Sequence, residues 1–264
     1  MNAAIEQRCR AGEPLTAAEI EELGAADLLT LGMLADEVRR ARVGDTVTYA
    51  RDAETRLTVL PGTLDDTIAA IRAARASLSE EVIGYSLADV IDREWGPLGD
   101  VLKQLRDAGL AAIAEAPVDR VADMAGALRA AAAAGLPVLC LTLQKPWTAS
   151  RTDYVLTVRA IVEQFPSIQT VAPLPREQSI AVPTTGYDDV RAVALARLAL
   201  PMVRNIQVDW SQYGPKLAQV ALTFGANDLD RVSTLDDESR GRRRTSSEDV
   251  RRNVAAAGFT AVER

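Results

Sequence analysis

The chain is 264 residues long, with 25% charged residues, 4% aromatic residues and a formal net charge of -7. That length suits one large α/β domain or two small ones. The acidic balance argues against nucleic acid as a main partner, because phosphate binding needs a basic face. No histidine is present, which removes Ser-His-Asp and Cys-His catalysis and His-ligated zinc. Cys9 and Cys140 are far apart. They cannot hold an iron–sulfur cluster by thiolates alone, and they read as free thiols in a reducing cytoplasm. No run of about 18 apolar residues suggests a membrane span. The charged start, with Glu6, Arg8 and Arg10, lacks the apolar core of a signal peptide.

In chain order, residues 3–43 read as helices. Thr16 is placed to cap one of them with acids just inside it, and Leu28, Leu31, Leu34, Ala35 and Val38 recur at helical spacing in another. The spacing then predicts a strand over 57–60, a helix over 64–76, a strand over 82–86 and a helix over 98–108 that Gly109 stops. A strand over 110–114 carries Glu115 at its end, and an Ala-rich helix over 121–134 stops at Gly135. The apolar run 137–143 reads as a strand covered on both faces. A helix over 153–165, a strand over 168–172, a helix over 187–200 and a last strand over 206–208 complete the alternation. The final helix shows Leu217, Val220, Ala221 and Phe224 on one face and ends at Gly225. Asn227, Asp228 and Asp230 follow, residues that ordinarily close a helix in a polar turn.

This pattern gives about six parallel strands alternating with helices. We expect an incomplete TIM-like (β/α) barrel with an N-terminal helical cap, and a doubly wound open sheet is the alternative. The expected organisation is a cap over 1–50, a partial barrel over 51–230, and a polar loop with a C-terminal helix or tail over 231–264. Within that last part, 231–248, with Arg240 and Arg242 to Arg244, reads as an exposed loop. No glycine-rich nucleotide loop follows any strand.

The stretch 210–230, W-x-x-x-G-x-K-L-A-Q-x-A-L-x-F-G-A-N-D-L-D, resembles the C-terminal signature of the radical S-adenosylmethionine enzymes of the menaquinone (futalosine) and deazaflavin pathways. The phrase at 27–40, Ala172-Pro173-Leu174, the helix 187–200 and the end 256–264 resemble the same family. The resemblance implies a [4Fe-4S] cluster held by Cys-x3-Cys-x2-Cys after the first barrel strand. The corresponding stretch here, 51–62, contains no cysteine, and the chain looks shortened there by about one strand–helix unit. No cluster is expected, and without it no reductive cleavage of S-adenosylmethionine. Whether that molecule still binds is left open.

In a parallel barrel the chemistry gathers at the C-terminal strand ends. Glu115 and Asp228 are the candidate acid and base, and apolar neighbours are expected to raise the Glu115 pKa. Trp147 and Trp210 are candidates to stack on an aromatic ligand, although each is equally a core residue by type. Asn227 and Asp228 match the family motif and are the first candidates for ligand contact. Gln144 stands at a strand end, and Lys216 offers a cation to a carboxylate or is a solvated helix lysine. Lys145-Pro146-Trp147 replaces a family Gly-His-x-Glu-Thr motif, so those substrate contacts are missing. Three readings follow: a cluster-less protein that binds a nucleoside-like or aromatic pathway intermediate as an accessory or regulator, a non-radical lyase or hydrolase, and a structural partner of an active radical paralogue. A homodimer that closes the barrel edge is a further expectation.

Overall fold

The computed structural model describes residues 2–51, 56–77, 81–177, 183–234 and 244–264. Of the stretch read as an exposed loop, residues 235–243, with Arg240 and Arg242, lie outside the described residues, as do residues 52–55.

Three helices open the chain: α1 (Ala3–Ala11), α2 (Ala17–Ala25) and α3 (Leu28–Val43). Thr16 closes a capping box with Glu19 at the start of α2, satisfying two backbone donors that the first turn leaves free. Asp27 caps α3 in the same manner. The chain then alternates strand and helix: β1 (Thr46–Arg51), β2 (Arg56–Leu57), α4 (Leu64–Ser77), β3 (Val82–Ser86), α5 (Leu87–Asp92), α6 (Leu98–Ala108), β4 (Leu110–Pro117), α7 (Met124–Ala134), β5 (Cys140–Leu143), α8 (Arg151–Gln164), β6 (Thr170–Pro175), α9 (Gly186–Ala199), β7 (Asn205–Asp209), α10 (Trp210–Leu222), β8 (Asp228–Val232), α11 (Ser247–Ala256) and β9 (Thr260–Glu263).

The described strands form one nine-stranded sheet in the order β2-β3-β4-β5-β6-β7-β8-β1-β9. Every pairing is parallel. The sheet curls into a half-barrel, with helices on its outer face packed through Leu102, Leu105, Val158, Val193 and Leu198. β1 and β2 lie near opposite ends of this order, yet Arg51 and Arg56 are only five residues apart in sequence. A chain of that length spans at most roughly 18 Å, so the two ends of the curl are held close to one another.

The expectation of six strands is corrected to nine. β1 falls almost wholly within the stretch expected as the cap, and Asn227–Asp230 resembles a turn because acids are poor strand formers. Here β8 places its acids among arginines inside the curl. β9 is a polar, largely exposed edge strand, and its alternation carries no apolar signal. The predicted 57–60 strand shrinks to Arg56–Leu57, and 137–138 makes only an isolated bridge from Val138 to Ile113.

Candidate functional site

Side chains alternate along a strand, so β8 turns Asp228 and Asp230 to one face, and β7 turns Gln207 and Asp209 to one face. These residues meet Glu115 of β4 inside the curl. Arg176, directly after β6, is buried among them. Its guanidinium lies 3.0 Å from Asp209, 3.2 Å from Glu115 and 3.9 Å from Asp230, and it donates to Gln207 Oε1 at 3.2 Å. Arg231 lies 3.1 Å from Glu115 and 3.5 Å from Asp209. It has φ of 55°, a left-handed conformation that non-glycine residues rarely hold without compensation; the two ion pairs supply that compensation. Arg56 of β2 meets Asp230 of β8 at 2.6 Å, so an ion pair crosses the lumen from the edge strand β2 to β8, two strands in from the other edge of the sheet.

Asp228 is held from three directions. Thr48 Oγ1 donates to it at 2.5 Å, Gln207 Nε2 at 2.6 Å, and Arg264 grips it in bidentate fashion at 3.0 Å for both bonds. The lumen is thus lined by Glu115, Asp209, Asp228 and Asp230 against Arg56, Arg176, Arg231 and Arg264, and the two sets of charges balance. A cavity of about 270 Å³ opens beside them, lined in part by Arg56, Cys140, Gln207, Asp228, Asp230 and Arg264.

The electrostatics reverse one expectation. Burial pushes the Glu115 pKa upward, but Arg176, Arg231 and Arg56 outweigh it and hold the carboxyl below its ordinary value. The apolar neighbours read from the sequence do not decide this group, and a Glu held ionised is a poor general acid at neutral pH. Asp230 is likewise lowered, with burial opposed by Arg56, Arg176 and Arg264. Arg176 is raised, because Glu115, Asp209 and Asp230 overcome its own burial. Burial pushes the Cys140 thiol up to about 12, away from the thiolate form that acts as a nucleophile.

The donor set for an iron–sulfur cluster does not fit this structure. Cys9 is buried in α1 and Cys140 at the start of β5, on separate elements. The segment after β2 offers Thr58, Val59 and Leu60, none of them a thiol. Among the described residues no group of His, Cys, Asp and Glu side chains is arranged to hold a metal ion.

The remaining predicted residues are distributed over several places. Gln144 lies on the loop after β5, where its Nε2 donates to Glu177 at 2.7 Å and Asp119 fixes its backbone N–H. Trp147 packs edge-on against Tyr154, ring centroids 5.5 Å apart, outside the barrel. Trp210 begins α10 and donates to Thr245 Oγ1 at 3.3 Å in the groove toward α11. Lys216 is exposed on α10. Asn227 is turned toward α9 and not the lumen: its Oδ1 accepts from Arg197 at 2.5 Å and from the Ile206 N–H at 2.9 Å, and its Nδ2 donates to Asn205. Only Glu115 and Asp228 of the predicted set share the lumen. Of the arginines that complete it, Arg176 is a strand-end residue by sequence, as is Asp209, whereas Arg56, Arg231 and Arg264 carry no such mark; the acids at alternate positions of β8 are the sequence signal that cations must face them.

Residues 160–264 match the family model described as the CofH/MqnC C-terminal region. The 5-amino-6-(D-ribitylamino)uracil–L-tyrosine 4-hydroxyphenyl transferase of Archaeoglobus fulgidus is 34% identical over 105 residues, covering 37% of this chain and 31% of that protein. The enzyme of the same name from Methanopyrus kandleri is 31% identical over 154 residues, covering 52% of this chain and 42% of that protein. The aligned part thus spans about a third of the length of the first of these relatives. Among solved structures, methylornithine synthase (PylB) superposes with a TM-score of 0.71 at 13% identity, covering 98% of this chain and 97% of that one. HydG, a maturase of the [FeFe]-hydrogenase, superposes with a TM-score of 0.66 at 12% identity, covering 98% and 75%. At such identities the likeness is one of fold: a TIM-like partial barrel of parallel strands. The sequence likeness is thus to the CofH/MqnC C-terminal region and lies in the later part of the chain. No described helix is long and apolar enough to cross a membrane.

Proposed function

We propose that this chain is a cluster-less radical-SAM-fold protein of the CofH-like kind. It acts as an accessory or regulatory binding protein for an aromatic or nucleoside-like intermediate of deazaflavin or menaquinone biosynthesis, beside an active radical enzyme. The observation that carries the reading is the lumen. Where the fold collects its chemistry, carboxylates and guanidiniums neutralise one another, and the thiols present are buried and protonated. A lyase or hydrolase acting through Glu115 and Asp228 would need one carboxyl with a raised pKa, and Glu115 is lowered.

A thermal-shift screen tests the proposal. The compounds are S-adenosylmethionine, adenosine, aminofutalosine, dehypoxanthine futalosine, L-tyrosine and 5-amino-6-(D-ribitylamino)uracil. A ligand at 100 times its Kd stabilises the native state by about 2.7 kcal/mol, which raises Tm by roughly 5–10 °C for a chain of this size. Binding of a futalosine or of the ribitylaminouracil is expected. Anaerobic reconstitution with iron and sulfide is expected to leave the protein colourless. A cluster spectrum after reconstitution, or no shift with any compound, would sink the reading.

A further inference from the structure

A larger cavity lies outside the barrel, between α2, α8 and α9, with a volume of about 570 Å³. None of the lumen's charged residues contributes to it. Protein interiors are packed with few voids larger than a water molecule, whereas ligand pockets run from about 300 to 1,000 Å³. This cavity falls in that range.

Its walls are largely apolar. Pro146, Pro173, Pro175 and Pro183 line it together with Trp147, and proline contributes no backbone donor and little conformational freedom. Such a lining suits a flat apolar molecule. The charged lining is mainly acidic, with Glu21, Asp188 and Asp189, and the cation beside them, Arg151, is paired with Asp188. An anionic ligand would be repelled.

Asp189 is buried, and it also lines a smaller cavity shared with Pro175 and Tyr213. Burial raises its pKa, against a hydrogen bond from Thr184 that lowers it. In the same wall the Trp147 indole N–H and the Tyr154 hydroxyl are covered and make no hydrogen bond. A buried polar group without a partner costs about 1–3 kcal/mol, and such groups call for an explanation. The two rings are in edge-on contact in that wall, and a rotation of either ring toward a molecule bound in the cavity would give its covered donor a partner.

We infer that this outer cavity is a second binding site, separate from the lumen, for an uncharged aromatic molecule bearing a hydroxyl or amide. The rings pack against the prolines and Trp147, the donor of the ligand meets Asp189, and its acceptor meets the aromatic pair.

The probe is 2-naphthol at pH 7, followed by calorimetry and by tryptophan fluorescence. Saturable binding at one site is expected, with a change in Trp147 emission that Trp147→Phe removes. Ala192 lines the cavity from α9, so Ala192→Phe should weaken binding at least about tenfold, the equivalent of about 1.4 kcal/mol. Asp189→Asn and Tyr154→Phe should each weaken it several-fold. Arg264→Gln, at the lumen, should leave it as in the wild type. Circular dichroism checks that each variant folds; if Ala192→Phe does not, Asp189→Asn and Tyr154→Phe decide. No saturable binding up to about 1 mM overturns the proposal. So does a folded Ala192→Phe that binds like the wild type, or loss of binding in Arg264→Gln alone. The result is independent of any ligand found for the lumen.

Discussion

Replacing Arg176 with leucine removes the cation at the centre of the lumen. It is buried and takes part in ion pairs with Asp209 at 3.0 Å, Glu115 at 3.2 Å and Asp230 at 3.9 Å. Removing one partner of a buried pair costs about 3–5 kcal/mol, because the other charge stays buried without compensation. Arg231 still faces Glu115 and Asp209, and Arg56 still faces Asp230, so the lower end, about 3 kcal/mol, is expected. For a chain of this size that lowers Tm by roughly 6–12 °C. Urea unfolding followed by circular dichroism measures the difference. Its pH dependence is the sharper check. In the wild type the carboxyls of Glu115 and Asp230 have lowered folded pKa values; their contribution is present above about pH 4 and lost as pH falls through the folded values. In the variant those pKa values rise, so the gap between the two proteins should narrow on acidification. Arg252→Ala, at an exposed pair with Glu248, should change nothing measurable. A loss below about 1 kcal/mol for Arg176→Leu, the size of a solvated surface pair, or a gap that stays constant with pH, would refute the idea of a dry, interlocked lumen.

The wild type itself should lose stability steadily below about pH 4, the range in which unfolded carboxyls take up protons that Glu115 and Asp230 resist in the fold; an acid titration of the unfolding free energy reads this directly. Asn227→Ala should cost about 3 kcal/mol, because it leaves one N–H group of the buried Arg197 guanidinium (Nη2) and the Ile206 N–H without their acceptor. Unchanged stability with loss of ligand binding would instead make Asn227 a contact residue. Gly225→Ala should cost roughly 2–4 kcal/mol: its φ is 102°, and a Cβ would stand 2.8 Å from Cβ of Arg197.

The helices and most inner strands were legible because their signals are local. Thr16, Gly109 and Gly135 mark helix ends as expected, and the apolar face of α6 has the period of a helix packed on a sheet. What was not legible depends on partners far away in sequence. β8 is a strand because Thr48, Gln207 and Arg264 meet Asp228, and because Arg56 and Arg176 meet Asp230. None of these partners is a neighbour in the chain, so 227–230 by itself looks like a turn. Glu115 misled for the same reason. Its adjacent residues are apolar, but the groups that set its ionisation come from Arg56, Arg176 and Arg231.

The ion pair from β2 to β8 ties the proposed function to the shape of the barrel. The link from β1 to β2 is short, which brings Arg56 within 2.6 Å of Asp230. An ion pair can hold two strands in this way only if it is kept dry, since exposed pairs contribute little. The Arg56 side chain is 12% exposed and that of Asp230 1%, so the pair meets that condition. The pair stands beside β2, where the resemblance would place a cluster, and it lines the cavity of about 270 Å³ there. On the proposed reading, the loss of the thiols and the ion pair across the lumen are one change: once no metal had to be held there, a guanidinium could take its place and satisfy Asp230. Arg56→Ala tests that coupling. It should loosen the contact between β2 and β8, raise the Asp230 pKa, and destabilise the fold most at neutral pH and least in acid. A variant equally destabilised at both pH values would show that Arg56 joins the two strands by packing and not by charge.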